Sequence, residues 1–188
     1  LQYEVGLPVR PEVPLLFAVA DTRIGDLLPS LDALLRNDVQ LVVQSASGEA
    51  LEQLDKLAEE HAERLALLED EDERALHRAI AAADGLIVTG DDPISTELHL
   101  SGQRYGALPI APSIGAVADG VVDSDANLET GNGFLYELGD QAALLSAIQR
   151  SLAAYGNTEG WARLRTRAMK LDLSWERAAR RYEHAYRG

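Results

Sequence analysis

ADGLIVTGDDPISTELHLSGQRYGALPIAPSIGAVAD, residues 83–119, decides the fold. Leu86-Ile87-Val88 is a short apolar run that ends in a polar turn, Thr89-Gly90-Asp91-Asp92-Pro93. A segment of helical composition follows. A second run, Leu108-Pro109-Ile110-Ala111, then leads into Ser113-Ile114-Gly115-Ala116. The order is strand, loop, helix, strand, loop. Ligands of open α/β sheets bind beyond the carboxyl ends of the strands. Both loops are therefore expected to border any site.

Towards the N-terminus the same alternation repeats. Pro14 to Ala20 is a continuous apolar run, as expected of a strand buried on both faces. Leu27, Leu28, Leu31, Leu34 and Leu35 recur at helical spacing. Leu41-Val42-Val43 is a second buried strand, Leu51, Leu54, Leu57 and Ala58 mark a helix, and Arg64 to Leu68 is a third strand. A helix is predicted over about Glu71 to Ala83, with Asp70 as its N-cap. Strands alternating with helices predict right-handed βαβ units. The expected fold is α/β, a Rossmann-like doubly wound parallel sheet with helices on both faces.

Beyond Ala116, Gly120 to Asp123 reads as a last short strand, and Gly131 to Tyr136 as a turn followed by an extended piece. Three helices close the chain, over about Asp140–Tyr155, Thr158–Lys170 and Ser174–Arg187, with Ser174 able to cap the last. Leu1 to Pro14 holds three prolines and reads as a lead-in, residues 1–13 serving as linker to a single domain.

At 188 residues one domain with a full core is expected. The absence of cysteine excludes disulfides, thiolate zinc sites and cysteine nucleophiles. Four scattered histidines make no metal pattern, and no apolar run reaches the ~18 residues of a membrane span. No metal, cofactor or membrane is expected, and a cytoplasmic location follows as the default. The net charge is −14, yet residues 161–188 hold 8 basic and 3 acidic residues. An acidic body repels nucleic acid and anionic membranes. The basic tail reads as a solvated helix face, or as a helix packed on an acidic surface, its own or a partner's.

Candidate site residues are few. The loops after the first two strands, Asp21-Thr22-Arg23-Ile24-Gly25 and Ser45-Ala46-Ser47-Gly48, carry no Gly-x-Gly-x-x-Gly and no P-loop. Asp91-Asp92 would repel a pyrophosphate unless a cation intervened; the structural alternative is an ordinary turn and helix start. Ser95 and Thr96 offer hydroxyls and amides to an anion, or serve as capping residues. Gly115 marks a tight turn or a ligand-facing amide. His77 and His99 fit helix-surface or packing roles. Trp161 and Trp175, at helical spacing with small and apolar neighbours, read as core anchors rather than sugar platforms.

From Leu1 to the end the chain resembles the C-terminal domain of bacterial glycogen synthase and plant starch synthase. The likeness is carried by Gly6-Leu7-Pro8, Pro14 to Val19, Ala75 to Arg78, Ala83-Asp84 and Tyr105 to Ile110. It continues through Ala118 to Asp123, Gly133 to Glu137, and the most specific group, Arg167-Ala168-Met169 and Asp172 to Ala179. The resemblance implies the C-terminal half of a two-domain GT-B fold. In that family this half holds ADP-glucose, and glucose passes with retention to a growing α-1,4-glucan. The glucan acceptor belongs to the N-terminal GT-B domain, towards which the last helix, residues 174–188, returns.

The departures fall on the working loops. Where the family has Ser-Arg and then Lys-Gly to hold the donor phosphates, only Arg23 stands in. The family's Gly-x-Gly appears as Ser45-Ala46-Ser47, and its Glu-Pro-Cys-Gly-Leu as Asp92-Pro93-Ile94-Ser95-Thr96. Asp92 matches the catalytic Glu, one methylene shorter. The family's Arg-Thr-Gly-Gly appears as Ser113-Ile114-Gly115-Ala116, without the cation. The resemblance thus implies nucleotide-sugar contacts at Arg23, Ser45, Ser95, Thr96 and Gly115, with donor binding weakened or lost. The alternative is a non-catalytic structural, regulatory or oligomerisation domain derived from the family.

Overall fold

The computed structural model describes residues 1–19, 24–44, 49–68, 72–90 and 93–187. Six parallel strands run β1 (Leu15–Val19), β2 (Gln40–Gln44), β3 (Leu65–Leu68), β4 (Gly85–Ile87), β5 (Leu108–Pro112) and β6 (Phe134–Tyr136). They lie in the order β3-β2-β1-β4-β5-β6. The register pairs Phe17 with Val42 on one side and Leu86 on the other. Helices α1 (Ile24–Leu35), α2 (Glu49–Glu60), α3 (Glu73–Ala82), α4 (Pro93–Tyr105) and α5 (Gly115–Gly120) fill the crossovers, and α6 (Gln141–Gly156), α7 (Thr158–Met169) and α8 (Trp175–Arg187) close the chain.

Because successive strand residues point to opposite faces, continuous apolar strands feed two cores. Leu16, Ala18, Leu41, Val43 and Ile110 meet Leu27, Leu31, Leu34, Leu144, Ile148 and Leu164 from α1, α6 and α7. Leu15, Phe17, Val42, Leu86 and Ala111 meet Ala75, Ala79, Ile80, Leu98 and Val117 from α3, α4 and α5. The doubly wound sheet with helices on both faces expected from the sequence is what forms.

Three local expectations need correction. The cap of α3 is Asp72, whose side chain accepts from the Ala75 amide, whereas Asp70 lies outside the described residues. Gly120 to Asp123 does not form a strand. Gly120 ends α5, and Asp123 makes only a single parallel bridge to Gly133, because Asn132 takes the Val122 amide on its side chain. Trp175 is not a core anchor. It is 85% exposed at the first turn of α8, while Trp161 is buried and stacks on Phe134. Ser174 does cap α8, accepting from the Arg177 amide.

The lead-in is fastened to the body. Leu7 and Val13 are buried, and the wholly buried Gln40 donates to the Pro8 carbonyl and accepts from Gln2. No described helix is long and apolar enough to cross a membrane.

Candidate functional site

Strands β1 and β4 are neighbours, yet the chain leaves β1 towards β2 and leaves β4 towards β5. Their connections diverge, and the crevice between the diverging loops is the switch point where doubly wound sheets bind ligands. Ala18 pairs with Ile87 at this edge, so the segments after β1 and after β4 start side by side. Arg23, Ser45 and Asp92 themselves lie outside the described residues. Ser95 and Thr96 fall in the first turn of α4.

Val88 donates its amide to the Ile110 carbonyl at 2.9 Å. The Tyr136 hydroxyl, from β6, donates to the Val88 carbonyl at 2.9 Å in a buried setting. This tie spans β5 and fixes the exit of β4, with Thr89 buried immediately beyond it. Tyr136 was not singled out in the sequence. The signal available was a tyrosine closing an apolar edge strand, whose hydroxyl needs a partner once buried.

The β5 exit carries the Gly115 turn. Ser113 donates its amide to the Tyr136 carbonyl at 2.8 Å. Gly115 has φ +54°, in the left-handed region that favours glycine, and the space a Cβ would take is open. Ile114 occupies the N-cap position of α5 and offers no side-chain oxygen to it. Ser113 and Ile114 are exposed, so this loop presents a hydroxyl and an apolar side chain to solvent rather than a cation.

Carboxylates crowd the same edge. The first turns of α1, α2 and α3 bring Asp26, Glu49, Glu52 and Glu73. A carboxylate at a helix N-terminus is favoured by the helix dipole and competes with a phosphate for the same amides. At the rim, the Gln141 side chain donates to the Asp26 carbonyl at 3.3 Å and joins α6 to α1. Among the described residues no group of three or more His, Asp or Glu is placed to hold a metal ion.

The histidines take ordinary places. His99 is buried, packed beside Gly120. His77 is exposed and meets the Tyr105 hydroxyl at 3.1 Å and Glu73 at 3.7 Å.

This fold recurs in known proteins. Glycogen synthase of Anaeromyxobacter dehalogenans is 38% identical over 192 residues, covering 100% of this chain and 40% of that protein. The chain is a homologue of the C-terminal part of glycogen synthase. Glycogen synthase of Aliivibrio fischeri, 32% identical, also matches along the whole chain. The catalytic domain of starch synthase IV from Arabidopsis thaliana, solved bound to ADP and acarbose, superposes with a TM-score of 0.79 at 25% identity, covering 98% of this chain and 40% of that one. Sucrose-phosphate synthase of Thermosynechococcus elongatus shares the fold at a TM-score of 0.62 and 22% identity. No family model matches. The glycogen-synthase-like chain spans about 40% of the length of the curated relatives it matches.

Proposed function

We propose that this glycogen-synthase-like domain is the donor half of an α-1,4-glucan synthase, holding ADP-glucose or a related nucleotide sugar in the crevice beyond β1 and β4. The observation that carries the reading is the coincidence of a β3-β2-β1-β4-β5-β6 switch point with whole-chain similarity to glycogen synthases. Arg23 would meet the donor phosphates. Asp92 would take the place of the family's catalytic Glu, with Ser45, Ser95, Thr96 and Gly115 lining the nucleotide sugar. The glucan acceptor would belong to a preceding N-terminal domain, and the reaction to the cytoplasm.

Donor binding is weak in this reading. A charge-assisted hydrogen bond contributes ~1.5–3 kcal/mol, so losing two cations and two glycine approaches lowers affinity by several orders of magnitude. Acidic first turns at the same edge act in the same direction. Those losses favour a second reading, a non-catalytic regulatory or structural domain. Calorimetric titration with ADP and ADP-glucose separates the two. Micromolar binding removes the non-catalytic reading, and no heat at millimolar ligand removes the active one.

Helix α8 supports a second domain. Trp175, Tyr182 and Tyr186 recur at helical spacing and stand 85%, 64% and 87% exposed. Its own body does not cover this stripe, so α8 is proposed to return to the N-terminal domain of a longer protein.

A further inference from the structure

A cavity of 440 Å³ lies at the opposite edge of the sheet, where β1 and β4 begin. Small-molecule sites fall in a range of ~300–1,000 Å³. Its walls include Pro11 and Glu12 of the lead-in, Asp84 ahead of β4, and Tyr155, Trp161 and Arg165 around the corner between α6 and α7. These walls are built. The Arg165 stem crosses Gly106, where a Cβ would stand 2.7 Å from Nε. The Tyr155 hydroxyl donates to the Pro11 carbonyl at 3.3 Å, and its ring meets Trp161 edge-on at 5.4 Å.

The charges in these walls are opposed but not joined. Asp84 spends Oδ2 on the Leu15 amide at 3.0 Å. Arg165 is near enough to influence the Asp84 carboxyl, yet among the described residues the two form no ion pair. The Trp161 indole N–H is buried with no hydrogen-bond partner among the described residues. An anion entering here would meet Asp84 and Glu12, and a cation would meet Arg165. A neutral polyol meets neither penalty. Its hydroxyls donate to carboxylates and accept from the Arg165 guanidinium, and its C–H faces pack on aromatic rings.

We propose that this cavity binds one hexose unit of an α-glucan chain, at the end of the sheet remote from the donor crevice. The sugar class comes from the walls; the choice of a glucan rests on the glucan-synthase reading. Such a site would tether the polymer to the donor domain without taking part in transfer.

The test uses the whole chain carrying Trp175→Phe, which leaves Trp161 as the only tryptophan. Maltotriose is expected to give a saturable change in Trp161 emission, matched by calorimetric heat, at millimolar concentration. Arg165→Gln is expected to raise the apparent Kd by about tenfold with an unchanged far-ultraviolet spectrum. Glu12→Gln, at the exposed rim, is the second variant and is expected to weaken binding severalfold should Arg165→Gln fail to fold. No saturable response, or a Kd that neither variant moves, overturns the proposal, as does glycine competing as well as the sugar. ADP titration reads the donor crevice separately. ADP binding without a maltotriose response sinks the cavity site alone. Maltotriose binding without ADP binding leaves the site standing and removes the donor reading.

Discussion

Asp84 stands where β4 begins, half-buried, holding the first amide of β1 on its carboxylate. Burial raises its carboxyl above the usual carboxylate range, against the opposing pull of the Leu15 amide and Arg165. Between the unfolded and the raised folded value, the folded chain keeps a proton that the unfolded chain has released. Stability therefore falls as pH rises through that window. Asn in its place still accepts from Leu15 and has nothing to titrate. In paired urea titrations, the stability of Asp84→Asn relative to the parent should grow from mildly acidic pH to neutrality; a difference independent of pH contradicts this account. At the other end of the sheet, Ser113 stands exposed where the family carries a cation. Ser113→Arg should tighten ADP binding by about tenfold, ~1.4 kcal/mol, as one charge-assisted hydrogen bond to phosphate is regained. An unchanged Kd would mean that this loop does not reach the phosphates.

At the scale of elements, the loop between α5 and β6 is held by α7. Arg167 donates from Nε to the Gly131 carbonyl at 2.6 Å and from Nη2 to the carbonyls of Leu128 and Thr130. Asp125 accepts from the amides of Glu129 and Thr130 within the same loop. Gly131 has φ +83°, and a Cβ there would fall 2.5 Å from the Ser124 Cα. Arg167→Met keeps the apolar stem and frees three carbonyls, so a loss of about 2 kcal/mol is expected in the urea midpoint. Helix α8 behaves in the opposite way. Its sequence reads Trp175 as a core anchor, yet Trp175 and Tyr182 are both exposed. Removing residues 174–188 should change the melting temperature little and should lower self-association at high concentration. Loss of cooperative unfolding on truncation would show that α8 is integral to this body.

Over the whole molecule, net charge sets the sign of a salt effect. At −14 the chain repels ADP at long range. Screening over a Debye length of ~8–10 Å weakens that repulsion. ADP affinity is therefore expected to hold or rise from low to physiological salt, whereas a cation-lined phosphate site would lose affinity. Calorimetry at two ionic strengths decides between them. Continuous apolar strands such as Leu15–Val19 and Gln40–Gln44 made the sheet legible in the sequence, because burial on both faces leaves few polar positions to obscure the pattern. The sequence pointed to the carboxyl ends of the strands, with the loops after β4 and β5 bordering any site, whereas the switch point between β1 and β4 emerged only with the strand order. Tyr136 and the Asp84–Arg165 cavity were not legible, since their partners lie 48 and 81 residues apart in the chain and meet only through packing.

The sequence by itself determined the alternation of elements, the parallel sheet, the expected family and the loops that departed from it. Each of these follows from local periodicity, turn chemistry and residue identity. The tertiary structure alone decided that Trp161 is buried while Trp175 is bare, since the two tryptophans share a helical context and differ in what lies opposite. It also decided that Asp84, Arg165 and Trp161 surround one cavity. Burial and charge separation are properties of neighbours in space, and no spacing along the chain specifies them.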